Sequence, residues 1–128
     1  MRLLLDTCTF LWLLLDAPEL SETARRVLVH PANQVFLSAV SCWEIAVKHA
    51  AGRLPLPYPP ADLITRYRQA HRIQSLPLDE AAALHAARLP RLHADPFDRM
   101  LVCQAIVHGL AILTPDESIA QYAVRVLW

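Results

Sequence analysis

Short, mainly apolar runs recur along this 128-residue chain, and they alternate with longer stretches that carry helical signals. Arg2 to Leu5, Val35 to Leu37, Ile73 to Leu76, Leu110 to Leu113 and Val124 to Leu127 read as five short strands. The runs with no polar interruption, Leu3 to Leu5, Val35 to Leu37 and Leu110 to Leu113, suit strands buried on both faces. Between them the chain predicts helices over Thr9 to Leu15, Ser21 to Val29, Ser41 to about Ala51, Ala61 to Ala70, Asp79 to Arg88 and Asp95 to His108. A short helix follows Thr114-Pro115. Gly52 and Gly109 stand where helix stops belong, and four prolines between Pro55 and Pro60 make a stiff connector. Strands alternating with helices imply right-handed crossovers and a mainly parallel sheet covered on both faces. The expectation is one compact α/β domain over residues 1–128.

Four of the twelve acids are joined directly to strongly apolar runs. Asp6 ends Leu3-Leu4-Leu5, and Glu44 lies inside Val40 to Val47. Asp98 leads into Met100-Leu101-Val102, and Asp116 follows Leu110 to Pro115. A carboxylate at the edge of a core carries a large desolvation penalty, which a shared metal ion can offset. In parallel sheets, ligands sit beyond the carboxyl ends of the strands, where the strand order reverses. Asp6 and Asp116 fall at such ends, and Glu44 and Asp98 open the helices that follow.

Helix capping offers a competing account for three of the four. Ser41-Cys42-Trp43-Glu44 matches the S-x-x-E capping box. Asp95-Pro96-Phe97-Asp98 supplies a cap acid, a proline at the first helical position and an acid in the first turn. Thr114-Pro115-Asp116-Glu117 repeats that logic, and each cap is worth roughly 1 kcal/mol. Asp6 tilts the balance, because no capping rule asks for an acid directly after a Leu-Leu-Leu strand. The two accounts are also compatible, since helix starts supply N–H groups that hold anions. Carboxylates with no His or Cys at ligand spacing favour a hard cation, Mg²⁺ or Mn²⁺. Such an ion suits phosphodiester hydrolysis.

Composition narrows the field. Two glycines exclude both a Walker A loop and a GxGxxG dinucleotide turn. Net charge is zero, so bulk electrostatics do not announce nucleic-acid binding, and the cations are eleven Arg and the single Lys48. No apolar run approaches the roughly 20 residues of a membrane span, and the first residues lack the features of a signal peptide. A cytoplasmic protein without membrane contact is the expectation. Cys8, Cys42 and Cys103 have no close-paired spacing and fit a reduced compartment, with Cys42 and Cys103 as small core residues. The 55% hydrophobic content leaves apolar residues for a partner surface.

Four segments together resemble a known family. Leu3-Leu4-Leu5-Asp6-Thr7, Ser38-x-x-Ser41-x-Trp43-Glu44-Ile45-Ala46-x-Lys48, His93-x-Asp95-Pro96-Phe97-Asp98-Arg99-Met100-Leu101 and Leu113-Thr114-x-Asp116 resemble the PIN-domain ribonucleases. Within them, the chain is most similar to the VapC-type toxins carrying an H-x-D-P-F-D-R signature. Order, spacing and length agree over the whole chain. The resemblance implies a three-layer fold with a five-stranded parallel sheet, and a Mg²⁺- or Mn²⁺-dependent site that cleaves RNA. It implies Asp6, Glu44, Asp98 and Asp116 as the acidic quartet and Asp95 as an accessory acid or helix cap. Thr7 and Thr114 would hydrogen-bond the carboxylates or a metal-bound water, and Arg99 and Lys48 would contact phosphate or neutralise the acids. A cognate antitoxin and a homodimer are implied as partners. The chain departs from the subgroup at Cys8, where His is usual. Two other functions stay open: a non-catalytic PIN-like RNA-binding or assembly module, and a Mg²⁺-dependent phosphatase-type domain. The second is weakened because Cys8 replaces the acid that the haloacid-dehalogenase pattern needs there.

Overall fold

Leu3, Leu4 and Leu5 have no exposed surface in the computed structural model of the chain, which describes every residue from Met1 to Trp128. They form β1 (Arg2–Leu5), the middle of a sheet buried on both faces. In chain order there follow α1 (Thr7–Leu14), α2 (Glu22–Val29), β2 (Gln34–Ser38), α3 (Ala39–Ala50), α4 (Pro60–Ala70) and β3 (Gln74–Leu76). The second half adds α5 (Glu80–His85), α6 (Pro96–His108), β4 (Ala111–Leu113), α7 (Glu117–Ala120) and β5 (Val126–Leu127). The strand order is β3-β2-β1-β4-β5, and every neighbouring pair is parallel. The expected α/β sheet of five strands flanked by helices is the one that forms.

Alternation along β1 divides the core in two, as successive strand side chains must point to opposite faces. Leu3 and Leu5 join Phe10 and Leu14 of α1, Ala24 of α2 and Leu63 and Ile64 of α4 on one side. Leu4 joins Phe36, Ile112, Leu101 and Val102 of α6 and Ile119 of α7 on the other. Each fully buried Leu contributes about 1.5–3 kcal/mol relative to exposure. Helix α3 serves both sides, Ile45 in the first core and Val40 in the second. The chain runs outward from β1 through β2 to β3, then returns to β4 on the other flank of β1. The strand order therefore reverses between β1 and β4, and a crevice opens beyond their carboxyl ends.

Several element boundaries differ from the sequence expectation. Ser38, not Ser41, caps α3: its Oγ accepts from the backbone N–H of Val40 at 3.0 Å. The strand turns into the helix without a loop, so no polar break marks the junction. Ser41 is buried one turn further on and accepts a hydrogen bond from Thr7 Oγ1 at 2.9 Å. Helix α1 begins at Thr7, two residues before the expected start, α5 stops at His85 rather than Arg88, and β5 has only two residues. Cys103 is buried, but Cys42 is only half-buried. No helix is long and apolar enough to cross a membrane.

Gln104 went unremarked in the sequence, yet it ties the sheet to a distant loop. Fully buried in α6, it accepts from Ser38 Oγ at 2.5 Å and donates to the Pro77 carbonyl at 3.3 Å. Gln104→Leu keeps the bulk but leaves a buried hydroxyl and a carbonyl without those partners. The expected loss is about 1–3 kcal/mol, read from the urea unfolding midpoint.

Candidate active site

Asp6 occupies the N-cap position of α1, with extended backbone (φ −66°, ψ 151°), but its side chain makes no capping bond. The carboxylate instead turns into the crevice. Its Oδ2 accepts from Thr114 Oγ1 at 2.7 Å and from Cys8 Sγ at 3.1 Å. Asp6 is only 4% exposed. Burial pushes its pKa up, and the hydrogen bonds from Thr114, Cys8 and the Thr7 backbone partly oppose that rise. Cys8 is a donor to the acid, and burial together with the Asp6 charge keeps the thiol protonated.

The other three acids arrive from separate elements. Glu44, 5% exposed on α3, pairs through Oε2 with Lys48 one turn along. Its Oε1 is buried with no hydrogen-bond partner. Asp98, in the first turn of α6, has its pKa pushed up to about 7, first by burial and then by the charges of Asp6, Asp95, Asp116 and Glu44. Asp116 caps α7, accepting from Ser118 N at 2.8 Å, while its own N–H donates to Thr114 Oγ1 at 3.0 Å. Thr114 therefore links the acid after β1 to the acid after β4.

Asp6, Glu44, Asp98 and Asp116 line a single pocket of about 340 Å³ with Thr7, Cys8, Lys48 and Arg53. No three of the acids close into a ready-made metal cage; they stand around an open space. Mg²⁺ keeps several waters and takes only one or two carboxylates directly, so an open acidic pocket suits it. The all-oxygen donors and the orphaned Glu44 Oε1 fit such an ion. A larger apolar pocket, about 410 Å³, lies elsewhere, lined by Leu13, Leu14, Leu20, Leu28, Tyr67 and Ile73. It contains no cluster of acids.

The remaining candidates divide. Asp95 caps α6, its Oδ1 accepting from Phe97 N at 2.9 Å and Asp98 N at 3.2 Å, so it orients the helix that carries Asp98. Thr114 bonds a carboxylate as expected, whereas the Thr7 hydroxyl is given to Ser41. Lys48 lines the pocket. Arg99 does not: its guanidinium is held by the carbonyls of Pro90 (2.8 Å) and Leu89 (3.3 Å) and by Tyr122 Oη (3.0 Å), which uses the donors a phosphate would need. The basic residue found beside Lys48 is Arg53. The turn signal of Gly52, whose φ is +73°, was the one hint that the chain bends there.

The profile of the PIN domain family matches residues 3–125. The chain is a PIN domain. This PIN domain is 26% identical over 120 residues to Ribonuclease VapC22 of Mycobacterium tuberculosis (strain ATCC 25618 / H37Rv), covering 93% of this chain and 90% of that protein. It is 34% identical over 71 residues to Ribonuclease VapC16 of the same organism, 56% of this chain and 50% of that protein. In backbone shape it is similar to VapBC2 from Rickettsia felis, crystallised with a DNA fragment from its promoter. That likeness has a TM-score of 0.76 at 10% identity and covers 99% of this chain and 98% of the other.

Proposed function

We propose that this PIN domain is a Mg²⁺- or Mn²⁺-dependent endoribonuclease formed by residues 1–128 as a single domain, and the toxin of a type II toxin–antitoxin pair. Within the family we assign it to the VapC-type toxins with the H-x-D-P-F-D-R signature, which runs here from His93 to Arg99. The observation that carries this reading is the meeting of four acids, from four separate segments, in one pocket at the strand-order reversal. Capping alone explains Asp95 and Asp116. It does not explain why Asp6 makes no capping bond, or why Glu44 keeps a buried oxygen unpaired.

In this reading Asp6, Glu44, Asp98 and Asp116 hold the cation. A bound divalent ion would supply Lewis acidity toward the phosphoryl group and lower the pKa of water. The protein's own part is orientation and charge. Thr114 and Cys8 fix the Asp6 carboxylate, Thr114 couples it to the Asp116 segment, and Asp95 sets the start of α6 so that Asp98 faces the pocket. Lys48 offsets Glu44, and Lys48 with Arg53 gives a cationic side to an otherwise acidic pocket, where an RNA phosphate can approach. The relatives named as ribonucleases support RNA as the substrate. The apolar pocket beside α1 is suited to an antitoxin segment, and a second copy of the chain would complete the assembly.

Cleavage of unmodified RNA is the test. We expect turnover with Mn²⁺ or Mg²⁺, none with EDTA, and a rise in Tm on adding Mn²⁺, because an ion that binds only the folded state stabilises it. A protein that binds RNA without cutting it at any metal concentration would favour the non-catalytic module instead.

A further inference from the structure

His93 reads in the sequence as an exposed polar residue in the loop before α6. The structure half-buries it: its side chain is 15% exposed, and its ring is tilted against Tyr122 with centroids 5.3 Å apart. The two ring nitrogens have unlike surroundings. Nδ1 lies 2.7 Å from the Tyr122 hydroxyl oxygen. Nε2 is buried with no hydrogen-bond partner, and it faces Asp98 Oδ2 at 3.5 Å.

The donors around Tyr122 decide where the imidazole proton sits. The phenolic oxygen accepts from Arg99 Nη1 at 3.0 Å and from the His93 backbone N–H at 3.3 Å. Arg99 is anchored by the Leu89 and Pro90 carbonyls, so its donor is fixed in place. With both acceptor positions used, the Tyr122 O–H is the donor in its contact with His93 Nδ1. Nδ1 then carries no proton, and the single proton of the neutral ring is on Nε2. That N–H points at Asp98.

We propose that His93 is a positioning residue for Asp98: Tyr122 fixes its Nε2–H tautomer, and that N–H holds the Asp98 carboxylate in place for the acidic pocket. The inference rests on Asp98 serving a divalent cation. At 3.5 Å the contact is longer than a formed hydrogen bond, and a small rotation of the Asp98 side chain closes it. A buried N–H without an acceptor is unfavourable, so an ionised Asp98 is the partner this arrangement lacks. The charges of Asp6, Asp95, Asp116 and Glu44 all oppose ionisation of Asp98. Lys48 and Cys8 share its pocket, but among the Lys, Arg and His side chains only His93 brings a nitrogen within 4 Å of its carboxylate.

Two measurements on the folded protein test this. Long-range ¹H–¹⁵N NMR of the metal-free wild type at pH 8 is expected to show His93 as the Nε2–H tautomer. Tyr122→Phe removes the fixing donor while keeping the ring, and is expected to shift His93 toward Nδ1–H. Mn²⁺ affinity, read from the electron paramagnetic resonance of the free ion, is expected to fall about tenfold or more in His93→Ala, the size usual for an outer partner of a metal ligand. His93→Gln, whose amide N–H can reach the same carboxylate, should recover part of that loss. An Nδ1–H tautomer in the wild type, or unchanged Mn²⁺ affinity in a folded His93→Ala, would overturn the proposal. A wild type with no affinity for Mn²⁺ would remove the metal reading, and this role with it, even where the tautomer is as expected.

Discussion

Asp98→Asn is expected to abolish RNA cleavage and, at the same time, to make the metal-free protein more stable at pH 8. The two effects have one cause. Asp98 is held near other carboxylates in a poorly solvated place, and its pKa is about 7 in the folded chain against 3.8 for an unperturbed aspartate. Between those two values the native state keeps a proton that the unfolded chain has already lost. Native stability therefore falls as pH rises through this window, and above pH 7 the ionised carboxylate opposes folding in full. Asn has no charge to bury, so the variant should gain most in Tm at pH 8, less at pH 5, and nothing below the unfolded value. Activity moves the other way. Losing only an outer partner of a metal lowers function roughly ten- to a hundredfold, and losing a carboxylate of the pocket itself should exceed that. Asp6→Asn should also abolish cleavage, since Asn still accepts from Thr114 but brings no charge. Ordinary structural acids behave oppositely, losing stability and leaving chemistry intact. Undiminished cleavage by both variants would sink the assignment of the site.

Sequence carried the architecture because its cues were local. Apolar runs as short as Leu3-Leu4-Leu5 mark strands buried on both faces, and Asp95-Pro96 or Ser21 mark helix starts that the structure keeps. The acids at the ends of those runs were visible for the same reason. What the sequence hid are contacts made across crossovers. Ser38 meets Gln104 over 66 residues, and Thr114 meets Asp6 over 108. Tyr122 reaches back to His93 and Arg99 from beyond β4. Arg99 was a natural phosphate ligand by residue type, yet it is turned toward the Leu89–Pro90 carbonyls, because one step along α6 rotates the side chain about 100° from the direction in which Asp98 faces the pocket. Ser41 looked like a cap because a capping box is a local pattern. The strand-to-helix junction at Ser38 placed it inside the helix instead, where it serves Thr7.

Phe10→Ala should be the most damaging single truncation in the first core. Phe10 is 0% exposed in the first core, on the helix that Asp6 begins, and it packs in one cluster with Leu3 and Leu5 of β1 and Leu113 of β4. Those are the two strands whose ends carry the acids. Removing the ring forfeits its transfer energy and leaves a cavity that sheet and helix cannot both collapse around, a loss of about 3–5 kcal/mol. For a chain of this length that is a fall in Tm of roughly 10 °C or more. Leu84→Ala on α5 is the control: Leu84 is 68% exposed and should change stability by no more than about 0.5 kcal/mol. The damage should also reach the site selectively. Thr9 Oγ1 donates to the Leu113 carbonyl at 2.8 Å and Asp6 N to the same carbonyl at 3.3 Å, so a loosened α1 shifts Asp6 relative to the β4 end. At a temperature where Phe10→Ala is still fully folded, its Mn²⁺ affinity should therefore be weaker than wild type, while that of Leu84→Ala is unchanged. A Phe10→Ala protein within 1 kcal/mol of wild type would mean that α1 repacks freely, and the position of Asp6 would then need another support.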